Sequence, residues 1–188
     1  MWRDASVIVK RALEFERYVG IAGLREADAG AIAALMKEGL EPGVQFFDAD
    51  RIASWRHLFF AALNALRAFR DGTNVSRSIA TESLLYASAQ RQIARAIETL
   101  GVRDTTTNVA ILVVGKSRRD VESYIVDVGG ALGTIDDSVL EVTRGKLPSI
   151  KRLYGLVGFP LSQVEEGPEE EAIVDAVIEK MALLTVRR

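Results

Sequence analysis

Apolar residues along the chain switch between strand-like runs and helical spacing, and the switches mark the expected elements. Phe15 to Leu24 reads as an extended segment ending at Gly20 and Gly23, and Ala27 to Lys37 as an amphipathic helix closed by Gly39 and Pro42. Val44-Gln45-Phe46-Phe47 follows as a buried strand. Asp50 is placed to cap the next helix, on which Ile52, Trp55, Phe59, Leu63 and Leu66 share one face and which runs to about Phe69. After the turn residues Asp71-Gly72-Thr73-Asn74, one continuous helix is expected from about Ser76 to Leu100, stopped by Gly101. Thr107 to Gly115 is apolar without alternation and reads as a central strand. Ser117 to about Val128 reads as a helix ended by Gly129-Gly130, Val139 to Val142 as a short strand, and Pro148 as the start of another helix. Gly167-Pro168 with Glu169, Glu170 and Glu171 begins the last helix, and Ala182 to Val186 reads as a terminal strand.

No repeat or linker interrupts this order, which predicts one α/β (α+β) domain over residues 1–188, with helices packed around a small central sheet. Composition narrows the class. Lys and Arg total 24 against 26 Asp and Glu, so any nucleic-acid contact has to be a local patch. The absence of cysteine removes disulfides, thiolate metal sites and cysteine nucleophiles together. No apolar run approaches the roughly 20 residues that span a bilayer. Met1-Trp2-Arg3-Asp4 opens no apolar leader, and a cytoplasmic protein is expected.

Candidate catalytic chemistry is thin. Gly115-Lys116-Ser117 follows a strand as the end of a phosphate loop would, but Ala110 stands where the earlier glycine is required. Gly129-Gly130-Ala131-Leu132-Gly133 closes a helix, where a dinucleotide fingerprint would open one. His57 is the single histidine, has no nucleophile motif beside it, and falls off the apolar stripe near Arg56, which favours a polar surface role. Turn and cap duties account for Asp48 and Asp50, and neither they nor Asp136 and Asp137 make a metal site or call for a cofactor.

The expected helix from Ser76 to Leu100 carries more. At about 100° per residue, Ile79, Tyr86, Ile93 and Ile97 form a core-facing stripe. Arg77, Thr81, Leu84, Ser88, Arg91, Gln92 and Arg95 gather on the opposite side, a surface suited to phosphates and unpaired bases, although a merely solvated face has the same pattern. In the last helix Ile173, Val174, Val177, Ile178 and Met181 occupy more than one face, so part of the set could meet a partner while the rest packs inward.

The run Tyr86-Ala87-Ser88-Ala89-Gln90-Arg91-Gln92-Ile93, with Glu82 before it, resembles the signature of the small regulatory subunit of the KEOPS complex, the archaeal relatives of the PRPK-binding protein. Phe47-Asp48-Ala49-Asp50 leading into Trp55-Arg56-His57-Leu58, the strand Val109 to Val114, Ile135 to Glu141 and Ile178 to Leu184 match in the same order. The resemblance implies a noncatalytic subunit that docks on the kinase-like subunit of KEOPS. It also implies an aid to threonylcarbamoylation of the adenosine beside the tRNA anticodon, through binding of the single-stranded 3′ CCA end. On that basis Arg91 and Gln92 are assigned to RNA by motif, and Arg56, His57, Arg77, Ser88 and Arg95 by helical geometry. Ile173, Val177, Ile178 and Met181 are assigned to the protein partner. A module that regulates the kinase-like ATPase without touching RNA is the alternative.

Overall fold

The computed structural model describes residues 7–41, 43–158 and 169–186. A sheet whose strand pairs are all antiparallel lies between two layers of helices. β1 (Ile8–Ala12), β2 (Arg17–Arg25), β3 (Val44–Asp48) and β4 (Val109–Gly115) are ordered β1-β2-β4-β3, and the two-residue β5 (Thr134–Ile135) pairs with the end of β2. β4 is central, as its unbroken apolar run predicts: Val109 to Val113 are all buried, and Ile111 lies opposite both Ala22 and Phe46.

Alternate residues of each strand feed opposite cores. Ile21, Phe47, Ala110 and Leu112 face α2 (Trp55–Arg70), α3 (Ile79–Ala87) and α4 (Ile93–Leu100). Ala22, Phe46, Val109 and Ile111 face α1 (Ala29–Glu38) and α5 (Arg118–Tyr124). Gly20 belongs to this second face, where a Cβ would fall 2.4 Å from Val121 Cγ1, so its missing side chain is what lets α5 settle on the sheet. A third cluster joins Ala53, Tyr154, Ile173 and Val177 between α7 (Leu147–Leu153) and α8 (Glu169–Val186).

Several expected elements differ, each for a local reason. The extended segment starts at Arg17, because Leu13–Phe15 forms a 3₁₀ turn and the strand before it is β1. Asp48 rather than Asp50 caps the turn after β3, and Ser54 caps α2 by accepting from His57 N. Gly129-Gly130 does not end its helix: the chain passes through a π turn at Ile125–Gly129 and stays helical through α6 (Gly130–Leu132) to Gly133. Val139 lies in a 3₁₀ turn over Asp137–Leu140 opened by Asp136, whose side chain accepts from Ser138 N. Ala182 to Val186 continue α8 and form no strand. Gly167-Pro168 lie outside the described residues, and the helix is present from Glu169 onward.

Candidate functional site

The expected 25-residue helix is two helices, and the break between them makes the site. Ser78 opens α3 by accepting from Thr81 N, while the buried Glu82 carboxylate accepts from Val75 N at 3.0 Å and Ser76 N at 2.8 Å. At the other end Ala89 N donates to Tyr86 O and Gln90 N to Leu85 O, the paired closing bonds of a Schellman turn. That turn needs a left-handed residue, usually glycine, and Ala89 fills it at φ 52°. Without a glycine at this point the sequence carries no stop, which is why helical periodicity runs through it.

Two buried side chains hold the turn from below. His57, expected at the surface, is 0% exposed. Its Nδ1 accepts from Ala53 N at 3.2 Å, so Nε2 carries the proton and donates to Ala87 O at 2.8 Å. Tyr154 Oη donates to the same carbonyl at 3.0 Å, and the two rings meet edge to face with centroids 5.5 Å apart. Burial pushes the imidazole pKa down to about 4, against the Ala87 bond, which raises it. A neutral, doubly bonded imidazole in this position anchors the turn and has no access to RNA. Sequence periodicity missed it because the closely packed face of α2 is made of Ala61, Ala62 and Ala65, whereas Trp55, Phe59 and Leu63 are only partly buried.

The remaining RNA candidates separate. Arg91 and Gln92 are exposed just after the turn. Arg91 lines a groove of about 560 Å³ with Ala89, Leu156, Ala176, Glu179, Lys180, Leu183 and Leu184. Ser88, 1% exposed, donates to Leu85 O inside the turn and is structural. Arg77 lies just before the start of α3, in a different cavity with Met36 of α1 and Leu40 beyond that helix. Arg95 pairs with Glu98 at 3.1 Å, and Arg56 with Asp175 of α8 at 2.9 Å, both on the surface. Of the expected core stripe Tyr86 is buried and Ile79 packs against the core, whereas Ile93 and Ile97 are 39% and 51% exposed, and Leu84 of the expected polar face is buried.

The partner set is likewise rearranged. Ile173, Val177 and Met181 are fully buried against their own fold, and only Ile178 of the four is partly accessible. Leu183 on the same helix is 46% exposed and walls the Arg91 groove. Lys180, also in that wall, donates to the Tyr154 carbonyl and ties α8 to the end of α7. The groove therefore joins an apolar floor to two cationic groups and one carboxylate. Among the described residues no group of three His, Asp or Glu side chains is placed to hold a metal, and no helix is long and apolar enough to cross a membrane.

The chain is similar in sequence to known proteins. Residues 27–185 match the family described as kinase binding protein CGI-121, and the chain belongs to that family, in keeping with the resemblance carried by Tyr86 to Ile93. The regulatory protein Cgi121 of Methanocaldococcus jannaschii is 30% identical over 146 residues, which cover 77% of this chain and 84% of that protein.

Proposed function

We propose that the protein is a noncatalytic regulatory subunit that binds the kinase-like subunit of the KEOPS complex. In that complex it recruits tRNA, by the single-stranded 3′ CCA end, for threonylcarbamoylation of the adenosine next to the anticodon. The observation that carries the RNA half is the groove beside Ala89. Leu156, Leu183 and Leu184 offer a base an apolar seat, while Arg91 and Lys180 lie where a phosphate would follow it. Its volume falls within the roughly 300–1,000 Å³ of small-ligand clefts. The kinase half rests on the family, and the accessible apolar residues Ile93 and Ile97, one turn apart on α4, supply area for a protein contact.

The decisive experiment compares binding of full-length tRNA with tRNA lacking CCA. A loss of affinity on removing CCA is expected, and equal affinity overturns the assignment. Arg91→Glu should weaken full-length tRNA by about 1.5–3 kcal/mol, the size of a charge-assisted hydrogen bond. Unchanged affinity in a folded variant would leave the alternative, regulation of the kinase-like partner without RNA.

A further inference from the structure

One end of the sheet gathers cations that the Arg91 groove does not use. The register sets Arg11 of β1 opposite Tyr18 of β2, and Tyr18 opposite Gly115 at the end of β4. Arg17 and Lys116 are the next residues along, and Arg11, Glu16, Arg17, Tyr18 and Lys116 line a cavity of about 530 Å³. Three cations thus face one carboxylate on a protein whose formal charge is −2.

Several surface arginines elsewhere are matched by a carboxylate: Arg25 by Asp136, Arg56 by Asp175, Arg70 by Glu14 and Asp71, and Arg95 by Glu98. Among the described residues no carboxylate lies within ion-pair distance of Arg11, Arg17 or Lys116. Arg17 donates only to the backbone carbonyl of Glu16, at 3.2 Å, which leaves its charge uncompensated. Like charges held together repel, and an anion placed among them removes that cost. The lining holds one aromatic ring and no aliphatic side chain. A protein surface would gain little desolvation there, whereas phosphodiester oxygens need cations and guanidinium forks and no apolar area.

We infer that this cavity is a second RNA contact, which takes backbone phosphates of tRNA remote from the 3′ end. The inference rests on the tRNA-recruiting function proposed above, and the cavity shares no residue with the Arg91 groove. The CCA groove confers end recognition, and the sheet-end cluster supplies sequence-independent, salt-sensitive affinity.

The test uses the full chain and the double variant Arg11→Glu/Lys116→Glu, titrated at several salt concentrations. The ligands are full-length tRNA, tRNA lacking CCA, and a short oligoribonucleotide ending in CCA. The variant should bind full-length tRNA at least tenfold more weakly and lose its residual binding to CCA-less tRNA. It should bind the oligonucleotide as the parent does, and the log–log salt slope for tRNA should become shallower by about one to two, the loss of about two phosphate contacts. Unchanged tRNA affinity and slope in the variant overturn the inference. So does weakened association with the kinase-like subunit at unchanged tRNA affinity, which would make the cluster a dock for an acidic protein surface. Should the reversal disturb folding, Arg11→Gln/Lys116→Gln reads the same slope. Failure of the CCA reading is separate: removing CCA then changes nothing for either protein, while the double variant still weakens full-length tRNA.

Discussion

Replacing His57 by leucine removes the imidazole that joins Ala53 to Ala87 while keeping an apolar side chain in a site that is 0% exposed. Ala87 O keeps the Tyr154 hydroxyl as donor, so one group, the Ala53 N–H, is orphaned in the interior. An unsatisfied buried donor costs about 1–3 kcal/mol, and the lost edge-to-face contact with Tyr154 about 0.5–1.5 more, for a total destabilisation of about 2–4 kcal/mol at pH 8. The pH dependence carries a sharper signature. Burial depresses the folded pKa from 6.5 to about 4, so the unfolded chain takes up a proton below pH 6.5 that the folded protein refuses until about pH 4. The stability contributed by neutral His57 is therefore complete above pH 6.5 and lost as pH falls from there toward 4. At about 1.4 kcal/mol for each tenfold, the loss is about 3 kcal/mol. Urea titrations of both proteins at intervals from pH 8 to pH 4 would expose it: the gap between parent and His57→Leu should close by about 3 kcal/mol across that window. A gap that stays constant with pH would refute the buried neutral imidazole. A gap that widens on acidification would mean that the charged form is the one the fold favours.

Two further outcomes follow from the same region. Ala89→Gly relieves the left-handed strain at φ 52° and should raise stability by about 0.5–1 kcal/mol, whereas Ala89→Val, β-branched in the same conformation, should lower it, as read by urea midpoints. Ile97→Ser replaces a residue that is 51% exposed, so it should leave folding within about 0.5 kcal/mol while weakening association with the kinase-like partner in a pull-down or calorimetric titration; unchanged association would remove α4 from that interface.

The layered fold was legible because its signals are local. Val109 to Val113 form an uninterrupted, largely β-branched apolar run, and its short length between Asn108 and Gly115 marks it as a strand covered on both faces. Ser117 stands at the start of α5, where its side chain accepts from Asp120 N, and that start follows from residue type. The misplacements come from long-range effects. β1 exists because β2 offers it an edge. Val139 leaves the extended state because Asp136 and Asp137 turn the chain there, with Asp137 accepting from Gly23 N across 114 residues. The C-terminal residues remain helical because α8 buries Ile173, Val177 and Met181 along its length.

The site was half legible for the same kind of reason. A motif can locate Arg91 and Gln92 without saying what presents them, and helical geometry misplaced their neighbours because one strained alanine ends the helix where a glycine normally would. Past Ala89 the direction of the chain changes and Arg95 closes on Glu98, while before it Ser88 turns into the closing turn and Arg77 shares a cavity with Met36 of α1. The strain has to be held by something, and what holds it is invisible to periodicity: one carbonyl, Ala87 O, shared by a histidine 30 residues upstream and a tyrosine 67 residues downstream. Tyr154 also caps the chain segment that delivers Leu156 to the groove, and its own carbonyl accepts from Lys180. The histidine that reads as a surface or catalytic candidate is thus coupled to Arg91 through the backbone of the turn, and its substitution would act on the proposed RNA contact only by way of the shape of that turn.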